Sequence, residues 1–287
     1  MKYMYILLFW VVVYSSICAK EEEHHSHIDS NNIKINYEVY NFKNSKKKEN
    51  GQRYGVEIDH QTKEHHFQFY YEKSDTKTTK IVPKDLEINK YVFKYRYSFA
   101  NAQKLSLSYM KIYDNLMNEV DGGNIYGIGY DISYIGLRQY ISDYSHFDVY
   151  QTDLMVKKEF HFYDIVLNGL VIGKYIHLND KDSNNFSKKA KNNYFTLGIK
   201  LHTHYMGYHF GAAAYVGDRI FAVMNDGLVV QHHAMEFKQS YMLTIGHNIT
   251  DKISSHIRYI HHNAKEVPID NDNVKVDNIT FNIVYRF

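Results

Sequence analysis

The C-terminal segment, residues 276–287, constrains the fold more than any other part of the chain. Apolar and aromatic residues occupy alternate positions there, with mostly polar residues between them. Because successive side chains of a strand point to opposite faces, this pattern predicts a strand with one apolar and one polar face. The apolar face carries Ile279, Phe281, Ile283, Tyr285 and Phe287, and the polar face carries Asn278, Thr280, Asn282 and Arg286.

A strand of this pattern that stops at a terminal Phe resembles the last strand of bacterial outer-membrane β-barrel proteins. The resemblance implies an all-β chain that forms a closed antiparallel transmembrane β-barrel in the outer membrane of a Gram-negative bacterium. It also implies that Tyr285 and Phe287 belong to a signal read by the barrel-assembly machinery.

The N-terminus has the features of an export signal. Lys2 precedes a short apolar core at residues 6–13, and small residues precede Lys20. This core is shorter than the roughly 20 residues that a spanning helix needs. We therefore expect a signal peptide at residues 1–19 that is cleaved on export, a disordered His-rich leader at 20–31, and a barrel at 32–287.

Composition narrows the class of protein. Without Lys2, the 34 Lys and Arg residues against 32 Asp and Glu leave a charge of +1, which implies no nucleic-acid partner. No later segment is apolar for 18 residues, and the mean hydropathy is −0.49, which excludes helical membrane spans. A membrane barrel tolerates such polarity because its strands are only half apolar, and the 28 Tyr residues suit its aromatic girdles.

Segments with a period of two follow one another from Ile33 to the C-terminus. The clearest internal example sets Tyr91, Phe93 and Tyr95 against Lys94. The segments predict about 14 strands, or 12 if the weak segments around 133–177 are miscounted. An open sheet edge is not tolerated in lipid, so the sheet must close.

The predicted connections alternate in length, which places both termini on the periplasmic side. Short connections are expected near 60–65, 100–103, 131–133, 205–207 and 248–252, with a somewhat longer one at 157–163. Long polar loops are expected near 42–52, 72–87, 113–124, 178–193, 217–237 and 263–274, with 142–148 as a short exception.

The polar faces predict the residues that line the lumen. These are Lys34, Glu38, Glu57, Asp59, Lys94, Arg96, Arg138, Lys200, Arg258 and Arg286. Rings of charge bias which ions pass a pore, and the basic excess suggests a mild anion preference. The alternative is a self-neutralising network that only solvates the wall.

The loop at 217–237 is unusually apolar for an external loop. One interpretation, which we favour because Asp-Gly is a strong turn signal, is a hairpin that turns at 225–227 and extends the barrel above the membrane. The other is a segment that folds inward and constricts the pore. It would present Arg219, His232, His233 and Glu236 to solute.

His204 and His209 flank the predicted turn at 205–208 and should lie opposite each other, with His202 on the same face. These imidazoles could bind a divalent metal, or could simply be polar wall residues. His24, His25 and His27 of the leader offer a second, weaker candidate for metal capture.

The sequence favours a porin-like channel for passive diffusion of small polar or ionic solutes, with the lipid bilayer as its partner. Enzyme signals are poor, since Ser254 and His256 share a face but have no evident third group. We expect no enzymatic activity and no cofactor. The alternative is a plugged barrel that acts through its loops as an outer-membrane enzyme or a surface-binding protein.

Overall fold

The computed structural model describes residues 30–116, 120–163, 165–180 and 190–287. The predicted signal peptide and most of the predicted leader lie outside the described residues. Ser30 and Asn31, which the sequence analysis assigned to the leader, instead form the start of the first strand.

Strands make up 78% of the described chain. The strands that form one continuous sheet are β1 (Ser30–Lys43), β2 (Lys48–Gln61), β3 (His65–Thr78), β4 (Leu86–Ser98), β5 (Gln103–Asp114), β6 (Asn124–Ile132), β7 (Ile135–Asp143), β8 (Phe147–Phe162), β9 (Ile165–Asp180), β10 (Asn193–Tyr205), β11 (Tyr208–Arg219), β14 (Met235–Asn248), β15 (Ile253–Glu266) and β16 (Asn271–Arg286). The short strands β12 (Val223–Met224) and β13 (Val229–Val230) pair only with each other. Single 3-10 turns lie at Asn225–Gly227 and Val267–Ile269.

The sheet closes on itself. Each strand pairs antiparallel with its neighbour in the chain, except that β11 pairs with β14 across the segment that holds β12 and β13. β1 pairs with β16, where Ile33 lies opposite Tyr285 and Lys43 opposite Lys275. The predicted closed antiparallel barrel of 14 strands is therefore confirmed.

The two faces of the sheet meet different surroundings. On β4, the outward Phe93 is 49% exposed, whereas its neighbours Val92 and Lys94 are 1% and 3% exposed. The same alternation runs around the barrel and leaves an outer belt of apolar and aromatic side chains, with ring contacts such as Phe67 to Tyr95 at 5.0 Å between centroids. Such a belt suits hydrocarbon, and closure satisfies the backbone groups that hydrocarbon cannot.

No helix among the described residues is long and apolar enough to cross a membrane.

The connections agree with the expected alternation in part: residues 157–162, expected in a connection, belong to β8, whereas long connections remain between β5 and β6 and between β11 and β14. Short turns lie at 62–64, 99–102, 133–134, 206–207 and 249–252, on the same end as Ser30 and Phe287; we call this the short-turn end. At the other end, which we call the long-loop end, the predictions of long loops at 42–52 and 263–274 are wrong. Instead, β1, β2, β15 and β16 continue as strands through these segments and leave residues 44–47 and 267–270 as connections.

Candidate functional site

The inner face of the barrel carries the predicted lumen residues. Lys34 donates to Glu57 at 2.9 Å, and His66 lies 2.7 Å from Asp59, all on inward positions of β1 to β3. The remaining members of the predicted set also occupy inward positions, namely Glu38, Lys94, Arg96, Arg138, Lys200, Arg258 and Arg286. Their role in lining a conducting pore stays a prediction.

Part of this inner wall is a self-neutralising network. Lys90 donates to Glu72 at 2.8 Å, and both side chains are only 1% exposed. Arg53 bridges Glu72 and Glu38 at 3.5 and 3.6 Å. Fully buried charges of this kind persist only when they are paired, so this network fixes the wall of β1 to β4.

The apolar segment between β11 and β14 lies inside the barrel. We call residues 220–234 the lumen hairpin. It pairs Val223 with Val230, and its turn holds Asn225 and Asp226 at φ values of 49° and 56°, followed by Gly227 at 96°. The prediction of a hairpin that turns at 225–227 agrees with this conformation, because Asn, Asp and Gly tolerate positive φ.

The favoured prediction that this hairpin rises above the membrane is wrong. Its tip reaches the inner wall, where Asp226 accepts from Lys94 at 2.5 Å, from Arg138 at 2.6 Å and from Arg96 at 3.1 Å. The physical reason is charge: the wall of β4 and β7 holds more basic than acidic groups, and the carboxylate at the tip neutralises them. Sequence reasoning named Asp226 only as a turn residue.

These cations also set the ionisation of Asp226. Burial opposes loss of its proton, but Lys94 and Arg138 outweigh burial and hold the pKa of Asp226 well below its usual range. The carboxylate is therefore charged throughout the physiological range of pH.

A second anchor holds the middle of the hairpin. The Val223 N–H donates to Gln151 at 2.8 Å, and the Val223 carbonyl accepts from Gln151 at 2.8 Å and from Lys174 at 3.0 Å. Lys174 in turn pairs with Asp153 at 2.5 Å. These bonds place the hairpin against β8 and β9.

The base of the hairpin fills the long-loop end with apolar side chains. Ile220, Phe221 and Ala222 are completely buried, and the ring of Phe221 lies 4.9 Å from that of Phe147 and 5.7 Å from that of Tyr144. Inward residues of β3 to β10 belong to the same cluster. The long-loop end is therefore narrowed by packed hydrocarbon, while the opposite end keeps a polar wall.

The residues predicted to constrict the pore lie away from the hairpin tip and are buried. Arg219 is fully buried between the rings of Tyr215 and Phe237, at 5.2 and 5.6 Å from their centroids. His232, His233 and Glu236 are buried as well, at 1%, 8% and 3% exposure.

Burial also keeps the two hairpin histidines uncharged. Desolvation, reinforced by Lys90 and Lys48, holds the pKa of both His232 and His233 well below the usual value. They are therefore neutral in the docked hairpin, where the ring of His233 meets that of Phe42 edge-on at 5.6 Å.

A cavity of about 200 Å³ remains between the hairpin and the wall of β1, β2 and β14 to β16. Its basic lining residues are Lys34, Arg53, Lys200, Arg219 and Arg258, and its acidic ones are Glu38 and Glu57. The two carboxylates pair with Lys34 and Arg53, as described above. The described residues provide no carboxylate partner for the other three cations, so the cavity carries excess positive charge.

Two of these cations have unsatisfied donors. The Arg258 Nε and the Arg219 Nη1 are buried and have no hydrogen-bond partner in the described part of the chain. Lys200 makes only a long bond of 3.5 Å, to Asn225 at the hairpin tip. Buried donors are nearly always satisfied in proteins, so these groups are available to an acceptor in the cavity, either water or an anion.

The predicted histidine cluster lies at the short-turn end of the same wall. His204 is directly opposite His209, and His202 joins them, with one imidazole nitrogen of each within 4.8 Å of the others. Sequence reasoning found these residues from the turn, but it did not bring in His256, whose ring lies 5.0 Å from that of His209.

Ser254 and His256 do not form a nucleophile and base. Ser254 is fully buried and accepts a bond from Arg286 at 3.4 Å. Among the described residues, no hydrogen bond joins Ser254 to His256. This geometry gives no support to a hydrolytic centre there.

Comparison with solved structures agrees with this architecture. The chain superposes on a bacterial polysaccharide outer membrane secretin with a TM-score of 0.54 at 9% identity, over 90% of this chain and 98% of that one. This chain has the fold of bacterial outer-membrane β-barrels. The Acinetobacter baumannii outer membrane protein Omp33 and an outer membrane channel from Pseudomonas putida F1 also align, each with a TM-score of 0.49, at 9% and 10% identity. They cover 90% and 94% of this chain and 99% and 100% of theirs. No protein-family model and no curated protein sequence matches the chain.

Proposed function

We propose that this chain is a channel of a Gram-negative outer membrane that passes small anionic solutes. The basic cavity carries the proposal, because Lys200, Arg219 and Arg258 line it and no ion pair joins them to a carboxylate in the described part of the chain. When the wall of a water-filled lumen carries charge of one sign, it raises the local concentration of ions of the opposite sign. The porin-like hypothesis from the sequence is thus narrowed to an anion-preferring channel.

The lumen hairpin gives this channel its restricted bore. A ring of about fourteen strands is wider than the barrels of about eight strands that side chains fill, so an empty lumen would pass solutes with little discrimination. The hairpin occupies the side of β4 to β9 and leaves the cavity on the other side. Solutes that cross must pass the cationic side of the lumen or displace the hairpin.

The proposal extends to export and membrane insertion. We propose that the chain is exported with cleavage of residues 1–19, and that the barrel-assembly machinery inserts it by way of Tyr285 and Phe287. Both aromatic residues lie on the outward face of the closing strand, at 44% and 58% exposure.

Conductance of the purified chain in planar bilayers tests the proposal. We expect discrete steps and, under a KCl gradient, a reversal potential of the sign that marks chloride preference. A charge about 7 Å from the permeating ion contributes about 0.6 kcal/mol in water, or about threefold in relative permeability. Arg258→Gln should therefore lower the chloride preference about threefold.

Lys252→Gln is the matched control, because it removes the same charge from an exposed short turn outside the lumen. It should leave the selectivity unchanged. Steps without chloride preference would contradict the anionic solute class. A silent wild-type chain would contradict the channel itself and favour the plugged-barrel alternative, which the apolar packing of the hairpin base also supports.

A further inference from the structure

Three histidines converge on the lumen wall at the short-turn end. His202 and His204 are inward residues of β10, and His209 is the inward residue of β11 opposite His204. We propose that His202, His204 and His209 together bind a divalent transition metal, with Zn²⁺ as the ion that best matches them. This site is independent of the cavity that supports the proposed channel.

The separation of the ring nitrogens suits a metal. Zn²⁺ sits 2.0–2.1 Å from an imidazole nitrogen, so tetrahedral ligands lie about 3.3 Å apart. The three nitrogens are already within 4.8 Å of one another, and the rings of His202 and His209 each lie 4.3 Å from that of His204. Small rotations of the exposed His202 and His204 side chains close the remaining gap.

A hydrogen bond to Asn248 holds the third ligand, His209, in place. His209 is buried, and its Nε2 lies 2.8 Å from the side-chain oxygen of Asn248. An imidazole that donates one N–H to such an acceptor keeps the lone pair of its other nitrogen for a metal. Asn248 therefore acts as a positioning residue for His209.

A glycine provides the room for this cluster. Gly246 lies opposite both His209 on β11 and His256 on β15. A β-carbon at position 246 would collide with the His256 ring. With glycine there, the His256 ring lies 5.0 Å from that of His209 and is available as a fourth ligand.

The donor set narrows the class of metal that the cluster can bind. The cluster offers imidazole nitrogen only, and Ca²⁺ and Mg²⁺ prefer oxygen ligands, whereas Zn²⁺, Cu²⁺ and Ni²⁺ accept imidazole. The charged groups that act on His256 are the cations Lys34, Arg258 and Arg286. Among the described residues, the group of ligands that lie close enough together contains histidines and no carboxylate, so water or an anion from the lumen would fill any open position.

Zinc binding to the full chain, purified without a polyhistidine tag, tests the proposal by calorimetry and by metal analysis after dialysis. We expect one Zn²⁺ per chain. The double variant His204→Ala/His209→Ala should lose at least about a hundredfold in affinity, because it removes two ligands. His247→Ala is the matched control, since His247 lies at the same end of β14 but stacks on the outward Tyr208.

The leader needs a separate control variant because it also contains histidines. In the variant His24→Ala/His25→Ala/His27→Ala, zinc binding should persist. Loss of binding in this variant, with retention in the double variant, would overturn the proposal.

A measurement on the wild-type chain covers the case in which the double variant does not fold. Zn²⁺ should protect His202 and His204, both exposed, from modification by diethyl pyrocarbonate, as mapped by mass spectrometry. The outward His247 should react equally with and without Zn²⁺. Equal modification of His202 and His204 in both conditions would also overturn the proposal.

Discussion

Neutralising Asp226 should loosen the lumen hairpin. Asp226 is the one carboxylate that joins the hairpin tip to Lys94, Arg96 and Arg138. Asp226→Asn keeps the size of the side chain but removes its charge. Three cations of the wall then lose the group that neutralises them.

The magnitude follows from the burial of this contact. Removing one partner of a buried ion pair costs about 3–5 kcal/mol. The Asp226 side chain is 27% exposed, so water screens part of the loss. We expect docking to weaken by about 3 kcal/mol, which shifts the ratio of docked to undocked hairpin by about 150-fold.

The hairpin should nevertheless remain docked most of the time. Ile220, Phe221 and Val230 are buried at its base, and each such side chain stabilises docking by about 1.5–3 kcal/mol. The variant should therefore show brief, frequent excursions to a wider bore rather than a permanently open pore.

Single-channel recording in planar bilayers measures this directly. Asp226→Asn should increase the frequency of large-conductance events by about two orders of magnitude over the wild type. Asp251→Asn, in an exposed short turn, is the control and should behave as the wild type. If Asp226→Asn gives the same event frequency as Asp251→Asn, the tip contact does not hold the hairpin and the reasoning fails.

Three further predictions concern other parts of the barrel. The depressed pKa values of His232 and His233 mean that docking of the hairpin weakens as pH falls below about 6.5, because the undocked hairpin then binds more protons. Large-conductance events should therefore rise between about pH 7 and pH 5. Gly246→Val should displace the His256 ring and weaken zinc binding about tenfold, measured by calorimetry. Phe93→Lys places a charge on the outer belt and should cost about 2–4 kcal/mol of unfolding free energy in urea titrations in vesicles.

Each of these has a distinguishing control. The double variant His232→Gln/His233→Gln should abolish the rise in conductance events at low pH, and a rise that survives in it would assign the effect to other groups. Zinc affinity that is unchanged in Gly246→Val would show that His256 is not needed. A Phe93→Lys chain as stable as the wild type would mean that position 93 does not face hydrocarbon.

Much of the fold could be predicted from the sequence because a period of two is a strong local signal. Apolar positions such as Phe93 and Ile283 fixed which face of each strand points outward, and the strand number followed. The signal fades where the outward residues become polar. β3 continues through Ser74 and Thr76, inside residues 72–87 that were expected to form a loop, because backbone pairing persists above the apolar belt.

The position of the hairpin could not be predicted, for a different reason. Asp226 lies 132 residues from Lys94 and 88 from Arg138, so no local pattern links them. The apolar character of residues 220–223 did indicate that the loop would avoid water. Its docking inside the lumen, however, depends on the closed barrel and on the excess of basic residues on the barrel wall.

The seam between β1 and β16 has a consequence for biogenesis. Asn32 pairs with Arg286 there, so the ring cannot be completed until the final strand has been delivered. Until then β1 and β15 each present a bare row of amides and carbonyls to any neighbouring polypeptide. A truncation that removes β16 would therefore leave the barrel open, with two strand edges prone to pairing between chains.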